Sequence, residues 1–405
     1  MKKSLLALAA LGAFAGAAQA QSSVSVYGVM DGSYTASENK STTVAGTTTN
    51  AKTRNTVNGD GAYSTSRLGF RGVEDLGGGM RAEFVLEYDL INIGNGANGT
   101  DTGLAQSSNT NARTESLGAR YSWIGISDKN LGALRIGRQE SSIHGAFTNG
   151  LAGQANNMQG SIYSSGSTNA NVITAAVRPY DVFVDQAITY IAPTTAGVTA
   201  QVQYSQNAYS ASDAAPSAGF AQFGASLRYT GVKNLSLAYG YFRTNSTVNA
   251  AATVAATPGN AGTAAVTGAN TQVTTQVLTA NYNFGPATAF ALASNRKDKT
   301  LNDGATTRDQ TAYEFGLRAP ITKVVEVWGS GFFGNKKMTA DAATLSATTG
   351  GRADLSGFQL GAQYNFSKRT TAYAIYGTQE VKGKSAAVNT KIDSTGYALG
   401  LRHTF

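Results

Sequence analysis

The feature that most constrains the fold is a period of two in the side-chain pattern, which runs through almost the whole chain. Residues 235–241 read Leu-Ser-Leu-Ala-Tyr-Gly-Tyr, and residues 357–366 read Gly-Phe-Gln-Leu-Gly-Ala-Gln-Tyr-Asn-Phe. Successive side chains of a β-strand point to opposite faces, so this alternation predicts strands with one apolar face and one small or polar face. The sequence therefore predicts an all-β protein.

The connections between these strands are of two kinds, and the two kinds alternate along the chain. Short turns are predicted at Asp75–Gly79, Ser127–Gly132, Thr194–Gly197, Gly231–Asn234, Gly285–Pro286, Thr322–Lys323 and Lys368–Arg369. Long polar loops are predicted at Ser37–Gly61, Asn92–Thr114, Ser141–Val184, Asn207–Gly219, Asn245–Thr271, Lys297–Arg308, Met338–Arg352 and Lys382–Lys391. Seven turns and eight loops join sixteen strands and place all the long loops on one rim of the sheet.

Loops that are segregated by length are typical of a barrel inserted into a membrane from one side. A membrane offers no water to unpaired strand edges, so the sheet has to close on itself. The face opposite to the apolar one carries side chains that belong beside water: Arg67, Arg71, Arg81, Glu83, Glu87, Gln201, Gln203, Asn281, Asn283, Glu314 and Arg318. We therefore predict a 16-stranded antiparallel transmembrane β-barrel with a wet interior.

Composition removes several classes of protein. The chain has no Cys, which excludes a disulfide scaffold, a cysteine-rich zinc module and a cysteine nucleophile. Its two histidines, His144 and His403, stand in no metal-binding motif, so we predict neither a metal site nor a cofactor. The net charge is +8, but the basic residues are dispersed over strands and turns, which argues against a nucleic-acid partner.

The motifs that would indicate catalysis are missing from the sequence. The run Gly77-Gly78-Gly79 is interpreted as a hairpin turn, because it lacks the following helix and the Lys-Ser/Thr pair of a phosphate-binding loop. His144 has no Ser and Asp partners at the spacing that nucleophilic catalysis needs. We therefore predict that the protein is not an enzyme and has no catalytic residues.

The first twenty residues are predicted to be a signal peptide. Lys2 and Lys3 precede an apolar stretch from Leu5 to Ala18, and Ala18-Gln19-Ala20 offers small residues at the spacing that a signal peptidase reads. The alternative is an amphipathic N-terminus that is not cleaved. The predicted domains are thus a signal peptide at 1–20 and one barrel domain at 21–405.

The last strand carries a second targeting feature. Tyr397, Leu401, His403 and Phe405 share one face of an alternating strand, and the chain ends on the aromatic Phe405. This pattern resembles the signal that the barrel-assembly machinery of the outer membrane recognises. A strand edge can be bound by addition of another strand, with the alternating side chains supplying specificity.

Four motifs connect the chain with a known family. The first strand begins Ser-Val-Ser-Val-Tyr-Gly-Val-Met-Asp-Gly at 23–32, and residues 66–79 read Ser-Arg-Leu-Gly-Phe-Arg-Gly-Val-Glu-Asp-Leu-Gly-Gly-Gly. Residues 120–126 and 137–139 follow as Arg-Tyr-Ser-Trp-Ile-Gly-Ile and Gly-Arg-Gln. In this order the motifs resemble the Gram-negative general porin family, in its trimeric 16-stranded branch. The resemblance implies passive diffusion of small hydrophilic solutes through the outer membrane, contact with lipid and lipopolysaccharide, and a homotrimer.

The resemblance also implies a pore constriction. In such porins the third long loop folds into the barrel, and here that loop is 141–184. Arg67 and Arg120 stand where the family carries basic wall residues, and we predict that both point inward because they alternate with apolar neighbours. For Arg120 those neighbours are Tyr121 and Trp123. Weaker candidates for the basic wall are Arg71, Arg81 and Arg138, of which Arg138 needs a bulge to turn it inward.

One departure from the family pattern concerns the acidic side of the constriction. The loop contains no Asp or Glu from Ser141 to Tyr180. The candidate carboxylates are instead Asp181, Asp185, Asp31 and Glu83. Because a charged lining selects against like charge, arginines with few loop acids predict a weak preference for anions. The alternative is that the arginines pair with wall carboxylates and leave the selectivity flat.

Two other functions stay open at this point. A substrate-specific channel would need a tight row of Lys or Arg or an aromatic track inside, but alternation places few aromatics inward, Tyr27 and Phe242 among them. A β-barrel adhesin or structural anchor would use the long loops and not the lumen. Conductance in a planar bilayer distinguishes an anchor from a channel.

Overall fold

The alternating segments form long antiparallel strands in a computed structural model, which describes residues 23–43, 48–57, 61–90, 118–163, 180–209, 218–248, 270–301, 304–338, 351–385 and 389–405. The strands are β1 (Ser23–Thr43), β2 (Thr48–Val57), β3 (Arg67–Gly77), β4 (Met80–Asp89), β5 (Gly118–Asp128), β6 (Gly132–Glu140), β7 (Phe183–Ile191), β8 (Val198–Tyr209), β9 (Ala218–Tyr229), β10 (Leu235–Val248), β11 (Thr271–Asn283), β12 (Thr288–Thr300), β13 (Thr306–Pro320), β14 (Val325–Met338), β15 (Gly351–Asn365), β16 (Thr370–Ser385) and β17 (Asn389–Thr404). A short helix, α1 (Ser142–Thr148), follows β6. The predicted signal peptide and the loop 92–114 lie outside the described residues.

The strands close into a ring. Each strand from β3 to β17 pairs antiparallel with the next one along the chain, and β17 pairs with β1. The first half of β1 pairs with β3, for example Tyr27 with Gly69, which completes a ring of sixteen strands. The predicted 16-stranded antiparallel barrel is therefore confirmed.

The strand β2 stands outside this ring of sixteen and corrects the sequence prediction. The predicted loop 37–61 is largely strand, in which Ser33–Thr42 of β1 pair with Thr48–Val57 of β2 on one edge and with β17 on the other. The Asn50 amide donates a hydrogen bond to Glu38 at 2.9 Å, and Lys52 forms an ion pair with Glu38 at 3.4 Å. The segment was interpreted as a loop because it is polar on both faces, yet its many Thr residues favour extended backbone.

The two faces of the barrel wall differ as the alternation predicts. One face leaves large apolar side chains uncovered, with Ile124 64% and Phe366 63% exposed. The other face buries polar groups such as Gln203, Glu314 and Gln359. A continuous apolar outer surface is unusual for a protein in water and fits contact with lipid. In the part of the chain that the structure describes, no helix is long and apolar enough to span a membrane.

The buried apolar core lies on the polar face of the wall. Ile143 and Phe147 of α1 are completely buried in a cluster with Val277 of β11 and Leu292 of β12. The helix contacts strands β8 to β11. The chain therefore supplies the apolar core of this region from the segment after β6, not from a second sheet.

The two ends of the barrel chain meet at the closing seam. The Gly28 amide donates a hydrogen bond to the Phe405 carbonyl at 3.0 Å, and the Phe405 amide donates one to the Gly28 carbonyl at 3.1 Å. The Phe405 ring lies over Gly28, where an added Cβ would come within 2.4 Å of it. Tyr397, Leu401 and Phe405 are exposed on the apolar face, and the His403 ring is 2.9 Å from the Thr370 hydroxyl. Recognition of this strand by an assembly machinery stays a prediction.

Candidate functional site

Two cavities open on the polar face of the wall. One lies on the side of α1 that faces the long loops, and the other lies on the side that faces the short turns. The loop-side cavity, of about 880 Å³, lies toward the long loops and is lined by Arg67, Glu87, Arg120, Arg138 and Asp185, among others. The turn-side cavity, of about 610 Å³, lies toward the short turns and is lined by Tyr27, Arg71, Trp123, Arg135 and Arg228, among others. Tyr121 and Glu140 line both cavities, so the two spaces meet at this pair.

The basic wall of the loop-side cavity is built around one carboxylate. Glu87 of β4 is almost completely buried and lies between Arg67 of β3 and Arg120 of β5. Its carboxylate is 2.7 Å from the Arg120 Nε and 3.7 Å from the Arg67 Nε. The two predicted constriction arginines are therefore brought together, but each lies beside a negative charge.

Arg120 reaches this cavity by a route that the alternation did not predict. The register between β4 and β5 shifts between Glu87 and Tyr88, which marks a β-bulge. On the turn side of the bulge, Tyr121 and Trp123 share the polar face, so the prediction that they point outward is wrong. A bulge adds one residue to a strand, and the rule of alternation fails across it. Arg120 lies at this irregularity and bonds Glu87.

Arg138 also lies at a bulge, as its broken alternation predicts. The register between β6 and β7 shifts between Gly137 and Gln139, and Gly137 has a φ of 128° that favours glycine. The Arg138 guanidinium forms an ion pair with Asp185, and its Nε donates to the Ala119 carbonyl at 2.7 Å. This arginine therefore belongs to the loop-side cavity and is paired there.

The remaining candidates for the basic wall, Arg71 and Arg81, do not lie together. Arg71 lines the turn-side cavity, with its guanidinium carbon 5.7 Å from the centre of the Tyr27 ring. Arg81 is exposed near the β3–β4 turn and lines neither cavity. Arg135 and Arg228, which the sequence reasoning did not select, line the turn-side cavity. Their sequence positions, close to predicted short turns, could have indicated that they lie at this end of the barrel.

The acidic candidates also occupy different places. Asp181 and Asp185 line the loop-side cavity, whereas the Glu83 carboxylate accepts a hydrogen bond from the Ser127 hydroxyl at 2.8 Å near the short turns. Asp31 lines neither cavity, because it is completely buried. It accepts hydrogen bonds from the Tyr373 hydroxyl and from the Ser64 amide at 2.7 Å. Its position thus contradicts its assignment as a lumenal carboxylate.

Glu140 is a carboxylate that the sequence reasoning missed. It accepts a hydrogen bond from the Tyr121 hydroxyl at 2.5 Å and lies 3.8 Å from the Nε2 of His144. It directly follows the Gly-Arg-Gln motif at 137–139, which was the signal available for it. Because it lines both cavities, it supplies a negative charge at their junction.

The segment after β6 crosses the polar face between these cavities. Asn149 bonds the Thr279 hydroxyl at 3.1 Å, and Asn156 bonds the Gln359 side chain at 2.6 Å. The Ile162 amide donates to the buried Glu314 carboxylate at 2.8 Å. The strands β11, β13 and β15 are alternate strands of one arc of the ring, so these contacts tie the segment to the part of the wall that lies away from β6. The rest of the predicted constriction loop, 164–179, lies outside the described residues.

Comparison with known proteins identifies the family. The model of the Gram-negative porin family matches residues 7–384. An outer membrane porin protein of Bordetella pertussis (strain Tohama I) is 30% identical over 426 residues, which cover 100% of both chains. This chain belongs to the Gram-negative porin family. It is an outer-membrane diffusion porin, and the family and localisation implied by the sequence motifs are confirmed.

Solved structures show the same barrel. The anion-selective porin from Comamonas acidovorans superposes on the porin with a TM-score of 0.63 at 21% identity, covering 95% of this chain and 100% of that one. A trimer form of OmpT from Vibrio cholerae gives 0.57 at 13% identity, covering 95% and 99%. At these identities the likeness supports the fold. In the described ranges, no group of three or more His, Asp or Glu side chains is arranged to hold a metal ion.

Proposed function

We propose that this porin conducts small hydrophilic solutes and ions passively, with a weak preference for anions. The observation that carries the proposal is the charge of the two cavities. Among the described residues that line them, seven are arginines and four are carboxylates. An excess of fixed positive charge along a wet channel attracts anions and repels cations. The solved Comamonas acidovorans porin, which has the same fold, is described as anion-selective.

We also propose that the segment 141–184 narrows the lumen. The segment leaves the wall at the end of β6, and Ile162 and Asn156 bond β13 and β15, which lie seven and nine strands further along the ring. Because these strands are about half of the ring away from β6, the segment has to cross the space between them. Arg67, Arg120 and Arg138 then face the crossing segment from one side. The bore then depends on this segment, and the selectivity depends on the net charge of the two cavities.

The surroundings of the porin belong to the same proposal. The exposed apolar face would contact outer-membrane lipid and lipopolysaccharide, and the strand β17 would be bound by the barrel-assembly machinery before the ring closes. A homotrimer is supported by the trimer form of the Vibrio cholerae neighbour. We propose no enzymatic activity, because transport through the lumen requires no covalent step.

The test is the reversal potential of the purified porin in a planar bilayer with a tenfold gradient of potassium chloride. We expect step-like conductance and a reversal potential on the anion side of zero. A reversal potential on the cation side, or at zero, would overturn the anion preference. Absence of any conductance from folded protein would favour the alternative of a structural anchor.

A further inference from the structure

We propose that the turn-side cavity is a holding site for organic carboxylates that carry a flat apolar group, with benzoate as the simplest example. This inference rests on the proposed function, because the ligand has to enter through the conducting lumen. It goes further by placing a binding site below the constriction and by naming the chemical class of its ligand.

The first argument is charge. Arg71, Arg135 and Arg228 line the turn-side cavity, and in the described ranges no carboxylate oxygen lies within 4.0 Å of their nitrogens. Of the carboxylates among the described residues, Glu140 alone lines this cavity, and it already accepts the Tyr121 hydroxyl. Three guanidinium groups thus face Glu140 at the edge of the cavity, and Glu83 acts on Arg135 from beyond ion-pair distance, which still leaves a net positive charge for an anion.

The second argument is the orientation of the guanidinium groups. The guanidinium carbon of Arg135 lies 4.3 Å from the centre of the Trp123 ring, and that of Arg71 lies near the Tyr27 ring. A guanidinium that lies over an aromatic ring has one face covered and keeps its N–H edge for hydrogen bonds. The Nε of Arg135 is buried and has no hydrogen-bond partner among the described residues. This guanidinium therefore has a donor that no described residue uses, and two carboxylate oxygens at its N–H edge would suit the bidentate geometry of arginine.

The third argument is the apolar part of the wall. Val85 of β4, Ala146 of α1 and Ala238 of β10 line the same cavity as the arginines, together with the Trp123 ring. An inorganic anion would gain nothing from these groups, whereas an aromatic ring would cover them. A space of about 610 Å³ exceeds the size of one benzene ring with a carboxylate, so the ligand fits in the cavity.

The consequence is transient retention of the ligand. A channel conducts only if a site binds well enough to be entered and weakly enough to be left. The turn-side cavity adjoins the loop-side cavity at Tyr121 and Glu140, so a carboxylate that has passed Arg67 and Arg120 and then crosses this pair reaches it next. Bound benzoate would occupy this position and reduce the chloride current while it stays.

The experiment measures block of chloride conductance in planar bilayers by three probes: sodium benzoate, sodium acetate and neutral benzyl alcohol. For the full-length porin we expect benzoate to reach half-block at a concentration about tenfold below that of acetate, because one ring's apolar contact is worth on the order of 1.4 kcal/mol. Benzyl alcohol should not block. Equal half-block by benzoate and acetate would overturn the inference.

Variants locate the site. Arg135→Gln should raise the half-block concentration of benzoate about tenfold, since a charge-assisted hydrogen bond is lost. Trp123→Leu should raise the half-block concentration of benzoate and leave that of acetate unchanged. Lys129→Gln is the matched control, because it removes one positive charge from an exposed turn outside both cavities. An unchanged half-block in Arg135→Gln, or an increase in Lys129→Gln of the same size, would contradict the proposal.

The outcome separates this inference from the proposed function. Failure of the function would appear as missing conductance or a cation-side reversal potential before any probe is added. Failure of the inference would appear as normal, anion-preferring conductance on which benzoate has no special effect. Far-UV circular dichroism of each variant establishes that it has kept its β-structure.

Discussion

The loop-side and turn-side cavities use the same residue type in opposite electrostatic states. In the loop-side cavity, Arg67 and Arg120 share Glu87, and Arg138 is paired with Asp185. In the turn-side cavity, no such ion pair is formed by Arg71, Arg135 or Arg228 within the described ranges. The number of arginines therefore says little about selectivity until their partners are known.

The difference also assigns separate roles to the two cavities. A paired arginine contributes little net field at a distance, although it still shapes the wall and offers hydrogen bonds. An arginine that forms no ion pair contributes more of its charge to the lumen, although Glu83 acts on Arg135 from a greater distance. We therefore expect the turn-side cavity to set the anion preference and the loop-side cavity to set the geometry of passage.

The largest expected effect follows from removing the charges of the turn-side cavity. The triple variant Arg71→Gln, Arg135→Gln and Arg228→Gln should lose the anion-side reversal potential, with a change of about tenfold in the anion-to-cation permeability ratio. The measurement is the reversal potential in a gradient of dilute potassium chloride. In 1 M salt the difference from the original protein should almost vanish, because the screening length falls to about 3 Å.

The matching experiment in the loop-side cavity is the double variant Arg67→Gln with Arg120→Gln. If Arg67→Gln with Arg120→Gln changed the reversal potential more than the turn-side triple variant, the roles assigned to the two cavities would be reversed. This double variant removes two positive charges that already lie beside Glu87, so we expect it to have the smaller effect.

A second prediction concerns Glu87, whose negative charge balances the positive charges of Arg67 and Arg120 in the loop-side cavity. Glu87→Gln keeps the side-chain volume but removes the negative charge between Arg67 and Arg120. We expect the anion-to-cation permeability ratio to rise about threefold, since two guanidinium groups are released at once. Reversal potentials measure this ratio, and Glu74→Gln is a suitable control because Glu74 is exposed beside a short turn and lines neither cavity. A ratio that did not rise would show that Glu87 is not what balances the arginines.

The ring of sixteen strands was predictable from the sequence for a physical reason. Each strand has lipid on one side and water on the other, so the alternation has to be kept in every strand. Short turns that alternate with long loops then fix the order of neighbours. Even the hairpin of β1 and β2 departs from this prediction only by extending strands into a predicted loop.

The site was less predictable, because two local irregularities and several distant contacts decide it. The bulge beside Glu87 places Tyr121 and Trp123 on the lumenal face, where alternation excluded them. Asp31 has lumenal parity, but it is covered by Tyr373, which lies 342 residues away along the chain. Sequence patterns show which side chains carry charge, whereas the pairing of those charges depends on the closed ring.

A third prediction tests whether the segment between the cavities keeps them distinct. Glu314 holds Ser161 and Ile162 against the wall, and Glu314→Ala would remove both hydrogen bonds. We expect a looser segment, larger current noise and a change of about twofold in single-channel conductance, because a widened bore carries more ions. Glu314→Gln retains one acceptor oxygen, so its current noise and conductance should lie between those of the original protein and those of Glu314→Ala. Unchanged conductance and noise in Glu314→Ala would show that this contact does not control the bore.

The smallest expected effect lies at the junction of the two cavities. The Tyr121 hydroxyl donates to Glu140, so Tyr121→Phe would leave the carboxylate with one donor fewer and its charge more available to passing cations. Since the Glu140 side chain is 37% exposed, water would replace much of the lost bond, and the permeability ratio should fall by less than about twofold. Glu140→Gln should act in the opposite direction and raise the anion-to-cation permeability ratio.

Reversal potentials of both variants, measured in the same dilute gradient, would show whether Glu140 acts on the lumen. A fall in both variants, or a rise in Tyr121→Phe, would mean that Glu140 does not act on the lumen as a free charge. The distinction between the cavities would then depend on their arginines alone.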